Sequence, residues 1–363
     1  MVIAHIIDSM EVGGAEAVVA ALCRMQAAAG HQVSVECLYD RGAVGEQLQR
    51  EGVPVHVHGP ASSPVIAWRL FRSLRATRPT VVHCHNKSAT VHAAAVARLA
   101  RARVLVTTRH GMAALPYRLR KELKFWINVA LFCDRVVAVC DAARTNMSIG
   151  AAALAHKIVT IRNGAYPPPH RMDASVGKTG FTLVSVGRLA PAKSYDTLLR
   201  SVALARRHVP DLALWIVGDG SDSTSLRQLS RELELDDVVE FCGERADVGT
   251  WLRRADVFVL SSVSEGLPIS ILEAMAVGLP AIVTDVGGMP EVITLSGAGR
   301  TVPANDVQTL AAAIVEFAGM RDQLQQWGER ARSCYTANFT PERMAEQYSA
   351  LYQACFSARQ GEV

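Results

Sequence analysis

Short runs of valine, isoleucine, leucine and alanine recur along the chain, separated by longer stretches whose apolar positions repeat at helical spacing. Such alternation of buried strands with amphipathic helices is the mark of βαβ units and parallel sheets, and predicts an α/β protein. The first series of predicted strands is 2–8, 32–38, 53–58, 81–85, 103–107, 135–139 and 157–161. A second series begins at 181–187 and continues through 212–218, 238–242, 257–261, 281–284 and 299–302. Between them, NGAYPPPHRMDASVGKTG holds three successive prolines, Pro167 to Pro169, and supports neither helix nor central strand. The expected organisation is therefore a domain over 1–165, a linker over 166–180 and a domain over 181–340. A final helix over 341–363, with Thr340 as cap and Pro341 in its first turn, is expected to lean back on the first domain.

A length of 363 residues suits two domains of ordinary size, and a half-hydrophobic, one-fifth charged composition excludes a disordered or fibrous chain. The start MVIAHIID reads as a buried strand rather than a secretion signal. The most apolar long stretch, 126–139, is interrupted by Asp134 and Arg135, so a cytoplasmic protein is expected. Its eight cysteines form no C-x-x-C pair and lie in apolar runs, which predicts buried reduced thiols. The net charge of +4 conceals a division. Residues 1–175 carry 21 Lys and Arg against 11 Asp and Glu, about +10, and the remainder 17 against 23, about −6. Much of the excess lies in WRLFRSLRATR (68–78) and YRLRKELKFW (117–126), which mix basic with aromatic and aliphatic residues. Such helices either cover a sheet or lie on an anionic membrane surface.

Candidate chemistry collects where predicted strands end, the edge at which open parallel sheets bind ligands. Gly13 and Gly14 open a helix after the first strand, where backbone amides can receive an anion. After the eighth predicted strand, Arg188 and Lys193 stand five residues apart and can converge on a diphosphate. In SEGLPISILEAMA, Glu265 precedes a helix that Pro268 is expected to begin, and Glu273 lies within it. A helix N-terminus attracts phosphate while ionised carboxylates accept bonds from hydroxyls, a combination suited to a sugar nucleotide. His110 follows a first-domain strand, where it could bond a sugar or act as base, although a loop histidine is commonly just exposed. His83 and His85 share one face of a strand but lack a third ligand nearby in sequence, and no D-x-D pair exists to hold a metal ion.

The segments GRLAPAK, WIVGDGSD, SEGLPISILEAMA and GLPAIVTDVGGMPEVI resemble those of the retaining nucleotide-sugar glycosyltransferases of family 4, which have the GT-B fold. GGAE, Thr-x-His-Gly and Asn163-Gly164 are similar too. The resemblance implies two Rossmann-like domains facing an interdomain cleft, acceptor bound by the first and donor by the second. It further implies a UDP- or GDP-sugar donor, a lipid-linked or saccharide acceptor and no metal or other cofactor. By motif position Arg188 and Lys193 would grip the diphosphate, Glu265 and His110 the sugar, and Glu273 the ribose. Gly266, Leu267, Pro268 and Asn163 would line the substrate, and Gly13 and Gly14 the phosphate or acceptor side. The sequence departs from the family at Ala165-Tyr166, commonly Val-Asp, and at Ser194, frequently glycine. A nucleotide-sugar epimerase of the same architecture and a catalytically idle binding module are the alternatives; nucleic acid is not an expected partner.

Overall fold

Our structure, a computed structural model, describes residues 1–112, 119–169 and 180–361. Most of the predicted linker, 170–179, and the start of the second basic stretch, 117–118, lie outside the described residues. The chain divides into two compact units, Met1–Ala165 with Thr340–Val363, and Tyr166–Phe339.

The first unit is built on seven parallel strands: β1 (Val2–Ser9), β2 (Gln32–Asp40), β3 (Val55–Val57), β4 (Val81–His85), β5 (Val104–Arg109), β6 (Arg135–Ala138) and β7 (Ile158–Thr160). Their order is β3-β2-β1-β4-β5-β6-β7, so the chain reverses direction beside β1. Because β2 and β4 flank β1 on opposite sides, right-handed crossovers put the intervening helices on opposite faces. The helix Gly14–Ala28 packs with the helix Pro341–Gln360 on one face, while Ser63–Thr77, Asn86–Leu99 and Leu119–Phe132 pack side by side. Thr340 caps the last helix by accepting a bond from the Arg343 amide, and Pro341 occupies its first turn. Tyr348 and Tyr352 of that helix are among the largest fully buried side chains of the unit.

The second unit holds six parallel strands: β8 (Phe181–Val186), β9 (Leu212–Val217), β10 (Val239–Gly243), β11 (Val257–Leu260), β12 (Ala281–Thr284) and β13 (Gly299–Val302), ordered β10-β9-β8-β11-β12-β13. Leu183, Leu198, Val202, Ile216, Ile314 and Phe317 lie at the centre of its core. Near-continuous apolar runs form these strands because helices cover both faces, which removes the polar side that an open sheet would show. All eight cysteines are free, and seven of them are buried.

Candidate active site

In the second unit the loops after β8, β9, β11 and β12 are stitched together at the carboxyl edge of the sheet. The Val263 amide donates to the Ala192 carbonyl, Leu189 to Asp219 and Gly288 to Gly266. Two contacts require glycine. A Cβ on Gly218, at φ +137°, would lie 2.1 Å from the Gly187 carbonyl oxygen; one on Gly287, at φ +60°, would lie 2.4 Å from that of Glu265. The loops thereby hold their side chains at fixed spacing.

Lys193 and Glu265 are brought into direct contact. The ammonium Nζ donates to Glu265 Oε1 at 2.6 Å, and the Ser262 hydroxyl donates to the same oxygen at 2.7 Å. Both side chains are largely buried, so the pair is a charge-assisted bond shielded from water rather than a loose surface contact. Ser194 takes the left-handed conformation at φ 47° that glycine fills more easily. Its hydroxyl compensates by bonding Thr197 Oγ1 at 2.9 Å and donating to Asp196 Oδ1 at 3.1 Å. Ser261 then clamps the turn by donating to the carbonyls of Lys193 and Ser194. Arg188 is exposed and has no hydrogen-bond or ion-pair partner among the described residues.

The helix after β11 spans Ile269–Val277, and Pro268 is its N-cap at ψ 137°, one position earlier than the sequence predicts. The proline ring fixes φ while an extended ψ keeps the residue outside the helix. Leu267 and Pro268 have buried side chains, so with Gly266 they can meet a ligand only through backbone. Glu273 is half-buried in the helix and has no hydrogen-bond partner among the described residues. Desolvation pushes its carboxyl up to about 7. A cavity of about 180 Å³ lined by Arg253, Asp256 and Leu279 lies at the opposite, amino-terminal end of β11 and β12 and shares none of these residues.

In the first unit Gly13, extended at φ −172°, caps the helix that Gly14 begins. Close by in sequence, at the end of β1, Asp8 is raised above the usual carboxylate range by burial, with Ser88 and His92 acting against the shift. Its Oδ1 is buried without a hydrogen-bond partner. Asn163 is buried elsewhere, in a segment whose next residue, Gly164, donates its amide to the Met344 sulfur at 3.1 Å. It follows β7, so it too leaves the carboxyl end of a strand of the first sheet.

His110 is not the exposed loop residue that its position suggests. Its Nε2 lies 3.0 Å from His85 Nδ1, and its backbone amide donates to Asn86 Oδ1. His5 pairs with His83 across β1 and β4, which puts it on the face shared by His83 and His85. A third imidazole thus joins the two seen in HCH, and the three offer ligand atoms within 4.8 Å of one another. All six of their ring nitrogens are nevertheless engaged. His5 bonds His85 Nε2 and Gln26 Oε1, His83 bonds Thr108 and Tyr352, and His85 bonds His5 and His110. A metal would have to displace these bonds, so the cluster reads as a hydrogen-bonded core. Burial lowers His5 and His110 to about 4 and holds His83 and His85 well below the ordinary imidazole value.

The sequence model described as Glycosyltransferase Family 4 matches residues 12–167, and that described as Glycosyl transferases group 1 matches residues 170–333. Among curated relatives, the chain is 32% identical over 187 residues to a GDP-mannose-dependent α-(1-6)-phosphatidylinositol monomannoside mannosyltransferase of Mycobacterium tuberculosis, covering 49% of each chain. It is 27% identical over 264 residues to a UDP-Gal:α-D-GlcNAc-diphosphoundecaprenol α-1,3-galactosyltransferase of Escherichia coli, covering 68% of each. The chain spans about half the length, or less, of the first curated relatives it matches. Among solved structures, HepE of Anabaena in complex with UDP superposes with a TM-score of 0.84 at 21% identity, covering 98% of this chain and all of that one.

Proposed function

The chain belongs to the family 4 glycosyltransferases of GT-B architecture, and from that premise we propose that it moves a hexose-type sugar from a UDP- or GDP-linked donor to a lipid-linked or saccharide acceptor, with retention of anomeric configuration. The observation that carries this reading is the edge of the second sheet. Arg188 is unpaired, Lys193 faces Glu265, and Glu273 offers an unpartnered carboxyl within a helix whose first amides have no intrahelical partner.

Breaking the anomeric bond leaves negative charge on the departing diphosphate and positive character on the sugar. Arg188 and Lys193 stabilise the first, assisted by the helix amides. A diphosphate on Lys193 takes up hydrogen bonds from an ammonium that has three to give, and frees Glu265 to accept from a sugar hydroxyl. Glu273 accepts from the ribose diol. Among these groups none has to act as a nucleophile, and the departing phosphate oxygen takes the acceptor proton in a front-face substitution. With its imidazole lowered to about 4, His110 is a weak base and a good neutral hydrogen-bond partner. We assign the diphosphate to the cationic groups and not to a metal ion. Both UDP- and GDP-dependent enzymes stand among the relatives, so both donors enter the assay.

On the acceptor side, Asp8 and the Gly13–Gly14 turn form the carboxyl edge of the first sheet. Lipid-linked acceptors are handled by the named relatives, and the first unit exposes Trp68, Leu123, Ile127 and Leu131 beside basic residues. A peripheral position on an anionic membrane surface follows as part of this reading.

The test is transfer from radiolabelled UDP- and GDP-sugars to lipid-linked and saccharide acceptors. Lys193→Ala should lower kcat by about 10²–10³-fold, and NMR of the product should show the donor's anomeric configuration. Near wild-type transfer by this variant, or an inverted product, would overturn the assignment.

A further inference from the structure

We propose that Ser262 is a positioning residue for Glu265: its hydroxyl holds one carboxylate oxygen when a bound diphosphate draws the Lys193 ammonium away, and so keeps the other oxygen turned toward a hydroxyl of the donor sugar. The inference rests on the function proposed above and goes beyond it in naming what anchors the acid. Every protein group concerned lies in the second unit.

Two donors share a single atom of Glu265. Lys193 Nζ lies 2.6 Å and Ser262 Oγ 2.7 Å from Oε1, whereas Oε2 has no hydrogen-bond partner among the described residues. Both oxygens of an ionised carboxylate accept hydrogen bonds, so the protein occupies one side of the group and the other is left for a ligand. Ser262 itself is held in place. It follows β11, is fully buried, and its carbonyl accepts from the hydroxyl of Thr284 on β12. On one side of it Ser261 donates to the carbonyls of Lys193 and Ser194, and on the other the Val263 amide donates to Ala192. One serine thus grips the lysine turn while the next grips the acid.

The two donors are not equivalent. Lys193 is a charge on a flexible stem and can leave for a diphosphate, whereas Ser262 has no exposed surface from which to reach a ligand. The Glu265 side chain is only 13% exposed. Once the ammonium has gone, water cannot fully replace it, and a carboxylate left without a donor is costly. Ser262 supplies the remaining bond. Without it the carboxylate follows Lys193 or rotates to find another donor, and in both cases Oε2 leaves its place. A free nucleoside diphosphate carries no sugar for Glu265 to meet, so the hydroxyl matters little to nucleotide binding and much to transfer.

The experiment uses the full chain as wild type, Ser262→Ala, Glu265→Ala and the double variant. It measures kcat/KM for transfer from the UDP- or GDP-sugar that serves as donor, and the Kd of the matching free nucleotide, UDP or GDP, by isothermal titration. Ser262→Ala should lower kcat/KM by about tenfold to a hundredfold, the range for a hydrogen bond to a charged group, while the nucleotide Kd stays within about twofold. In the Glu265→Ala background the same change should cost no more than about twofold, because Ser262 acts through that carboxylate. Ser262→Cys, close in size but a weak donor, should fall between serine and alanine, and carries the test should Ser262→Ala fail to fold. A loss of transfer smaller than about tenfold in Ser262→Ala, an equal loss with and without Glu265, or a matching loss of free-nucleotide affinity would overturn the proposal. Wild-type transfer by Glu265→Ala would instead overturn the reading on which it rests, so the two failures are separate.

Discussion

Glu273 is the residue whose chemistry depends most on acidity near neutrality. Its carboxyl is raised to about 7 in the free protein, and only the ionised form accepts both hydroxyls of a diol. Donor affinity should therefore be constant above about pH 7 and fall by up to tenfold per unit below it. In Glu273→Gln the affinity should be lower and this slope absent; isothermal titration at pH 6, 7 and 8 measures both. Ser194 makes a different prediction. Glycine would relieve its left-handed backbone but lose the bonds to Thr197 and Asp196, whereas alanine would lose the bonds and keep the strain. Ser194→Ala should accordingly be less stable than Ser194→Gly by about 1 kcal/mol in urea unfolding. At this scale the sequence named Lys193, Glu265 and Glu273 through spacing around strand ends. It could not show that Lys193 and Glu265 neutralise each other, since 72 residues separate them and only the folded loops set their distance.

Helices and strands were the most legible level. Every one of the thirteen predicted strands has an observed counterpart among the described residues, because fully covered strands must be written in continuous apolar letters. The ends moved: 53–58 contracts to Val55–Val57, and 103–107 shifts to Val104–Arg109, which carries Arg109 into the sheet. Hydrogen bonding to a neighbour, which hydrophobicity does not encode, decides such ends. The histidine core was hidden for a related reason. Alternation put His83 and His85 on one face, but His5 joins them only because β1 lies beside β4, a fact of topology. Among helices, Leu119–Phe132 exposes Leu123, Ile127 and Leu131, at 50%, 46% and 69%, along a single i, i+4 stripe. Exposed Trp68, stacked on Phe71, belongs to Ser63–Thr77, and both helices flank Asn86–Leu99. Flotation with anionic vesicles should show binding that weakens with salt. Ile127→Glu with Leu131→Glu should abolish it, while thermal stability stays within a few degrees because these side chains are already in water.

For the molecule as a whole, the buried imidazoles tie stability to pH. His5 and His110 are lowered to about 4, and His83 and His85 are held well below the ordinary value of 6.5, all by burial. As pH falls through 6.5 the unfolded chain takes up protons that the folded chain refuses. Stability is therefore complete above about 6.5 and declines toward pH 4, by up to about 1.4 kcal/mol per pH unit for each histidine concerned. Urea midpoints at pH 7.5 and 5 should differ clearly; equal midpoints would contradict a neutral core. The wider charge division, +10 against −6, was readable from the sequence alone.

The last helix belongs to the first unit, and this has a consequence for how the protein is made. Tyr348 and Tyr352 complete the core around His83, yet they leave the ribosome only after all of 166–339. At about 5–20 residues per second, the first-made sheet waits on the order of ten to thirty seconds with its histidine face uncovered. The later half of the message can finish folding before the earlier half does.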